Sequence, residues 1–80
     1  MYRVYILECR DGTLYTGIAL NVDARFKEHV RGVGAKYTAS HPPKRIVYRS
    51  GKLTQSAALK REYTIKRMTR VRKKALIRNS

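Results

Sequence analysis

The segment Tyr2–Cys9, YRVYILEC, is apolar at its odd and its even positions alike. Successive side chains of a strand point to opposite faces. A strand that is apolar on both must be covered on both, so this segment is expected to be the central strand of a sheet. Thr13–Ile18, TLYTGI, is β-branched and aromatic and reads as a second strand. Arg10-Asp11-Gly12 between them is a hairpin signal. Two registers are open. A two-residue turn at Asp11-Gly12 pairs Cys9 with Leu14 and puts Tyr5 and Tyr15 on opposite faces. A three-residue loop with a left-handed Gly12 pairs Cys9 with Thr13 and puts Tyr5, Tyr15 and Gly17 on one face.

The rest of the chain must cover that sheet economically. Eighty residues argue for one domain spanning 1–80, and a chain this short buries only about 60% of its unfolded surface. Asn21 and Asp23 open a helical stretch in which Val22, Phe26 and Val30 form the apolar stripe, and Gly32 stops it. Residues 33–44 are rich in Gly, Pro and Ser and read as an irregular surface loop. Arg45–Ser50 is a third strand. Thr54 or Ser56 caps a long helix through about Met68, and Thr69 starts a last basic helix. The order β-β-α-β-α-α makes a small α+β domain. Cys9 is the only cysteine, which excludes an internal disulfide and a cysteine-based zinc site and fits a reducing, cytoplasmic setting. No apolar run approaches the ~18 residues a membrane helix needs, and the apolar stretch at the N-terminus is too short for a secretory signal.

Charge is where composition enters. Residues 1–30 carry four basic and four acidic side chains, so they sum to zero. Residues 31–80 hold the other fifteen Lys and Arg against one acid, Glu62. The whole net charge of +14 therefore lies in the last fifty residues, a field that draws polyanions, nucleic acid first among them. Lys36, Lys60, Lys66, Arg67, Arg70, Lys73 and Lys74 are the expected contacts to its phosphates. A membrane surface would call for bulkier apolar anchors than Val71, Leu76 and Ile77 supply, so no membrane partner is expected.

Three groups of side chains could do chemistry. Arg25 and His29 are four apart and lie on one side of the first helix, at the border of its apolar stripe. Glu62 falls within about 40° of the stripe formed by Ala58, Ile65 and Thr69. An inward carboxylate is costly unless paired or bound to a metal, so Glu62 is either an ion-pair partner of Lys66 or Arg61 or a ligand for a hard cation such as Mg²⁺. Six tyrosines with no tryptophan supply phenols, which need hydrogen-bond partners when buried and can serve as bases beside a cation.

Arg3-Val4-Tyr5, followed after nine residues by Tyr15-Thr16-Gly17, resembles the signature pair of the GIY-YIG nuclease superfamily. Arg25, His29 and Glu62 follow at that family's spacings, and Gly34-Ala35-Lys36-Tyr37-Thr38 is similar to a segment of its short stand-alone bacterial members. Arg3 stands where the signature has its first glycine, and Thr16 where it has isoleucine. The resemblance implies a three-stranded antiparallel sheet flanked by helices, with both tyrosines in one site, which selects the three-residue hairpin loop. It implies phosphodiester hydrolysis at one divalent metal, Mg²⁺ or Mn²⁺, held by Glu62. Tyr5 would act as base and Tyr15 would orient the nucleophile or phosphate. Arg25 would stabilise the phosphoryl charge and His29 would assist proton transfer. The expected partner is DNA, with RNA open, cut by structure or with weak sequence preference by a monomer. A nucleic-acid-binding module that keeps the fold without catalysis is the alternative.

Overall fold

In a computed structural model describing residues 1–80, the doubly apolar segment forms β1 (Arg3–Cys9). It lies between β2 (Leu14–Ala19) and β3 (Pro43–Arg49), antiparallel to both, in the order β2-β1-β3. Val4, Tyr5, Ile6 and Leu7 are all buried, as the two-faced pattern requires. Val4 and Ile6 pack with Ala58 and Ile65 on one face, and Tyr5 and Leu7 pack with Ala19 and Val22 on the other. The sheet is thus the middle of three layers.

The hairpin takes the three-residue loop. Gly12 N donates to Cys9 O at 2.9 Å, Cys9 N donates to Thr13 O at 2.8 Å, and Gly12 sits at φ +86°. A left-handed glycine is what such a loop demands, because a Cβ there is strained. The resulting register sets Tyr5 opposite Gly17 and Leu7 opposite Tyr15. The Asp11 carboxylate stiffens the turn by accepting from Thr13 N and Oγ1, and it also bonds His41 Nδ1 at 2.6 Å.

Helix α1 (Val22–Val30) begins with Asn21 Oδ1 accepting from Ala24 N at 3.0 Å, a side-chain cap. Its buried face differs from the sequence expectation. Val30 is 57% exposed, and His29 is fully buried rather than lying at a border. The inward stripe is Val22, Phe26 and His29, an i, i+4, i+7 set. The cause is the segment that follows, which also departs from expectation. Residues 36–40, read as irregular, form a one-turn helix α2 (Lys36–Ser40) whose buried Thr38 covers the His29 ring. Strand β3 starts at Pro43, two residues earlier than expected.

Helix α3 (Gln55–Lys66) is capped by Thr54, and helix α4 (Arg70–Arg78) by Thr69, each through its Oγ1 at 3.2 Å. Thr69 therefore belongs to α4 and not to the α3 stripe, which is Ala58, Glu62 and Ile65. All five carboxylates are paired: Glu8 with Arg45, Asp11 with His41, Asp23 with Arg49, Glu28 with Arg25 and Glu62 with Lys66. Most of these pairs are exposed, and exposed pairs contribute only about 0–1 kcal/mol. Four of them set Lys or Arg against an acid, and the remaining basic surplus faces solvent.

The core and the solvent face of these helices respond differently to truncation. Ile65→Ala is expected to destabilise the fold by about 2–5 kcal/mol through a core cavity. Val30→Ala, despite its helical periodicity, is expected to stay within about 0.5 kcal/mol of wild type. Urea unfolding of the two variants checks both.

Candidate active site

The register places Tyr5 on the central strand with its ring lying over Gly17. A Cβ at position 17 would stand 2.6 Å from the Tyr5 hydroxyl oxygen, so only glycine leaves room for the phenol there. The hydroxyl bonds His29 Nε2 at 2.8 Å, and His29 Nδ1 bonds Thr38 Oγ1 at 2.6 Å. Thr38 Oγ1 in turn donates to Ala35 O at 3.2 Å. These contacts assign the protons. With its hydrogen given to Ala35 O, the Thr38 oxygen accepts, so Nδ1 carries the imidazole hydrogen. Nε2 is then the acceptor, and the Tyr5 O–H donates to it.

A second glycine protects the other end of this chain. A Cβ on Gly34 would stand 2.5 Å from His29 Nδ1 and 2.9 Å from its Cγ. Gly34 O is held by Arg25 Nη2 at 2.7 Å, while Arg25 Nη1 bonds Glu28 at 3.1 Å. Arg25 thus fastens the α1–α2 connection over His29. Its side chain remains 35% exposed, so part of its five-donor fork still reaches solvent.

Burial, joined by the neighbouring Tyr15, pushes the Tyr5 phenol up to about 12; the Arg25 charge pulls down, and the Glu62 carboxylate adds to the rise. At pH 7 such a phenol is ionised to roughly one part in 10⁵. Burial also holds His29 below the ordinary histidine value, with Arg25 acting the same way and Glu28 opposing. The pair is therefore a protonated phenol beside a neutral imidazole. Water's proton can reach Tyr5 only as the phenol's own proton passes to Nε2.

Tyr15 closes the group. Its ring centroid lies 6.5 Å from Tyr5 and 5.1 Å from His29, the latter edge-to-face. Beyond it, Tyr37 stacks at 5.8 Å, and His41 stacks on Tyr37 at 4.3 Å. The structure thus brings Tyr5, Tyr15, Arg25 and His29 together. Thr38, Gly34, Tyr37 and His41 join them, beyond the residues expected from the sequence. The available signal was a hydroxyl and a glycine inside the GAKYT segment, from which Lys36 alone had been singled out.

Glu62 sits on α3, near enough to the site for its charge to raise the Tyr5 phenol. Its Oε2 pairs with Lys66 Nζ at 3.3 Å, so the ion-pair alternative is realised with Lys66 and not Arg61. The pair is loose, because Lys66 is 52% exposed. No group of three His, Cys, Asp or Glu able to cage a metal exists in the molecule. One carboxylate fits Mg²⁺, which keeps most of its waters and completes its shell with substrate phosphate. It does not fit zinc.

The expected phosphate contacts are dispersed. Lys60 lines a hollow of about 450 Å³ with Arg61, Ser50 and Thr64, and Lys74 lines another of about 200 Å³ with Arg45 and Arg78. Neither hollow contains the tyrosines. Arg67 lies over the Tyr63 ring and donates to its hydroxyl at 2.6 Å, and Arg70 donates to Gly12 O at 2.6 Å. Those two basic groups are already engaged within the chain. Lys36 is exposed and Lys73 half-buried.

A protein-family model described as the GIY-YIG catalytic domain matches residues 1–75. UPF0213 proteins of Staphylococcus aureus strains Mu3 and USA300 are each 53% identical over 75 residues, spanning 94% of this chain and 92% of theirs. The solution NMR structure of a UPF0213 protein from Bacillus halodurans is 41% identical, with a TM-score of 0.63. It covers all of this chain and 86% of its own.

The neutral, buried imidazole has a signature in stability. A histidine whose folded pKa is depressed binds fewer protons folded than unfolded below its unfolded value of about 6.5. Its contribution is complete above that pH and is lost as pH falls through 6.5 toward the folded value. The thermal midpoint is expected to fall more steeply from pH 7 to pH 5 in wild type than in His29→Gln, measured by circular dichroism. Parallel curves would contradict the assignment.

Proposed function

From the premise that the chain belongs to the GIY-YIG nuclease-domain family, we propose that it is a divalent-metal-dependent endonuclease hydrolysing phosphodiester bonds in DNA. The observation that carries this reading is the buried run Tyr5–His29–Thr38, which supplies a directed exit for a proton. A water oriented beside Tyr15 gives its proton to the Tyr5 oxygen while the phenol's proton moves to His29 Nε2, and its oxygen attacks phosphorus. The displaced sugar oxygen leaves and takes a proton from solvent. Arg25 offers its free donors to the phosphoryl oxygens as charge grows there. Glu62 would hold the cation, which supplies positive charge at the phosphate and makes a nearby water more acidic. We name Mg²⁺ or Mn²⁺ because a single carboxylate suits a hard ion that shares its shell with phosphate.

The basic surplus supports a nucleic-acid substrate, and its dispersal supports cutting by structure rather than by sequence. Lys36, Lys60, Lys73 and Lys74 present cations suited to phosphate, and phosphate contacts position a duplex without reading its bases. Lys66 would leave Glu62 when the cation arrives and turn to the phosphates.

Incubation with Mg²⁺ or Mn²⁺ and a panel of intact, nicked, flapped and branched DNAs tests the proposal. Cleavage of at least one discontinuous substrate is expected. Tyr5→Phe is expected to slow it about 10²–10⁴-fold, and Arg25→Ala about 10²–10³-fold. Binding with unchanged affinity in Tyr5→Phe and Glu62→Gln, and no product from any protein, would instead describe a non-catalytic binding module.

A further inference from the structure

Thr16 Oγ1 is the one buried side-chain polar atom in the molecule without a hydrogen-bond partner, and its residue is 3% exposed. Its neighbours explain where it points. On β2, Leu14 and Ile18 join the cluster that contains Ala58 and Ile65 of α3. Thr16, midway between them on a strand of period two, shares their face. On α3, Glu62 lies midway between Ala58 and Ile65 along the same side, one turn from each. Helix α3 and β2 are in contact, so both residues face the layer between them. Each is the polar residue within an otherwise apolar stripe of its own element.

A buried hydroxyl without an acceptor gives up its hydrogen bonds to water with nothing in return, and Thr16 stands where the family signature has isoleucine. Valine would fill the same shape without that cost. Among the charged side chains of α3 and α4, Glu62 alone can accept a hydrogen bond, since all others are Lys or Arg. In the structure the Glu62 carboxylate is turned to Lys66.

We propose that Thr16 is a positioning residue, whose hydroxyl donates to the Glu62 carboxylate once that carboxylate releases Lys66 and takes a divalent cation. The inference rests on Glu62 being the metal ligand. Partners of this kind orient a ligating oxygen, and their loss typically lowers metal affinity about 10–100-fold. The orphan hydroxyl then makes a trade: the metal-free fold is weakened so that the loaded carboxylate is held.

Two readouts together test this, neither of them activity. The first is the thermal midpoint of the metal-free protein. The second is the Mn²⁺ dissociation constant, from paramagnetic broadening of backbone amide signals around residues 16, 17 and 62 as Mn²⁺ alone is added. Thr16→Val is expected to raise the metal-free midpoint and weaken Mn²⁺ binding about tenfold or more. Thr16→Ser, which keeps the hydroxyl, is expected to bind Mn²⁺ within about threefold of wild type. Wild-type affinity in Thr16→Val, with binding abolished in Glu62→Gln, would overturn this inference and leave the metal role of Glu62 standing. Weaker binding with a lowered midpoint would make the hydroxyl a structural group and also overturn it. No localised broadening in wild type, or none lost in Glu62→Gln, would overturn both.

Discussion

The candidate site depends on one hydrogen-bond chain, Tyr5 to His29 to Thr38 to the Ala35 carbonyl. It spans three elements of the fold at once. Tyr5 comes from the middle of the central strand, His29 from the helix above it, and Thr38 from the short turn that closes over both. Each donor has one acceptor in sequence, so the direction of every proton follows from the last link. A buried polar network is worth having only when each member is satisfied, and here each is. That satisfaction holds a phenol and an imidazole, both neutral, in contact.

Two small residues make the chain possible. Gly17 gives the phenol a surface to lie on, and Gly34 lets the backbone pass against the imidazole; a methyl group at either would collide with the ring it faces. Arg25 connects the two ends, holding Gly34 O while its charge pulls the Tyr5 phenol down and the imidazole down with it. The same side chain is therefore fastener and electrostatic tuner. Its remaining donors face the solvent from which a phosphate would approach.

Much of this was legible in the sequence, for physical reasons. A strand apolar on both faces has only one place in a sheet, and β1 took it. Asn21, Thr54 and Thr69 stood at helix starts because a side-chain oxygen there replaces a missing backbone partner, and they cap as expected. The hairpin chemistry alone allowed two registers, and the resemblance chose between them. His29 was misplaced for a different reason. Its burial comes from residues 34–38, whose helix of a single turn is too short to show a period. Once Thr38 and Gly34 cover it, a polar residue displaces Val30 from the inward face. Thr16 shows the same limit, since its burial without a partner exists only in the packed fold. The ion pair of Glu62 with Lys66 was weighed from their spacing, but no spacing tells that the carboxylate also reaches the electrostatic surroundings of Tyr5.

The central claim is the protonation pattern at His29, because the proton exit from Tyr5 requires a bare Nε2. Nitrogen-15 NMR of the imidazole at pH 7 reads it directly. A neutral ring with hydrogen on Nδ1 and an unprotonated Nε2 that shows coupling to the Tyr5 hydroxyl is expected. A hydrogen on Nε2, or an imidazolium at that pH, would contradict it.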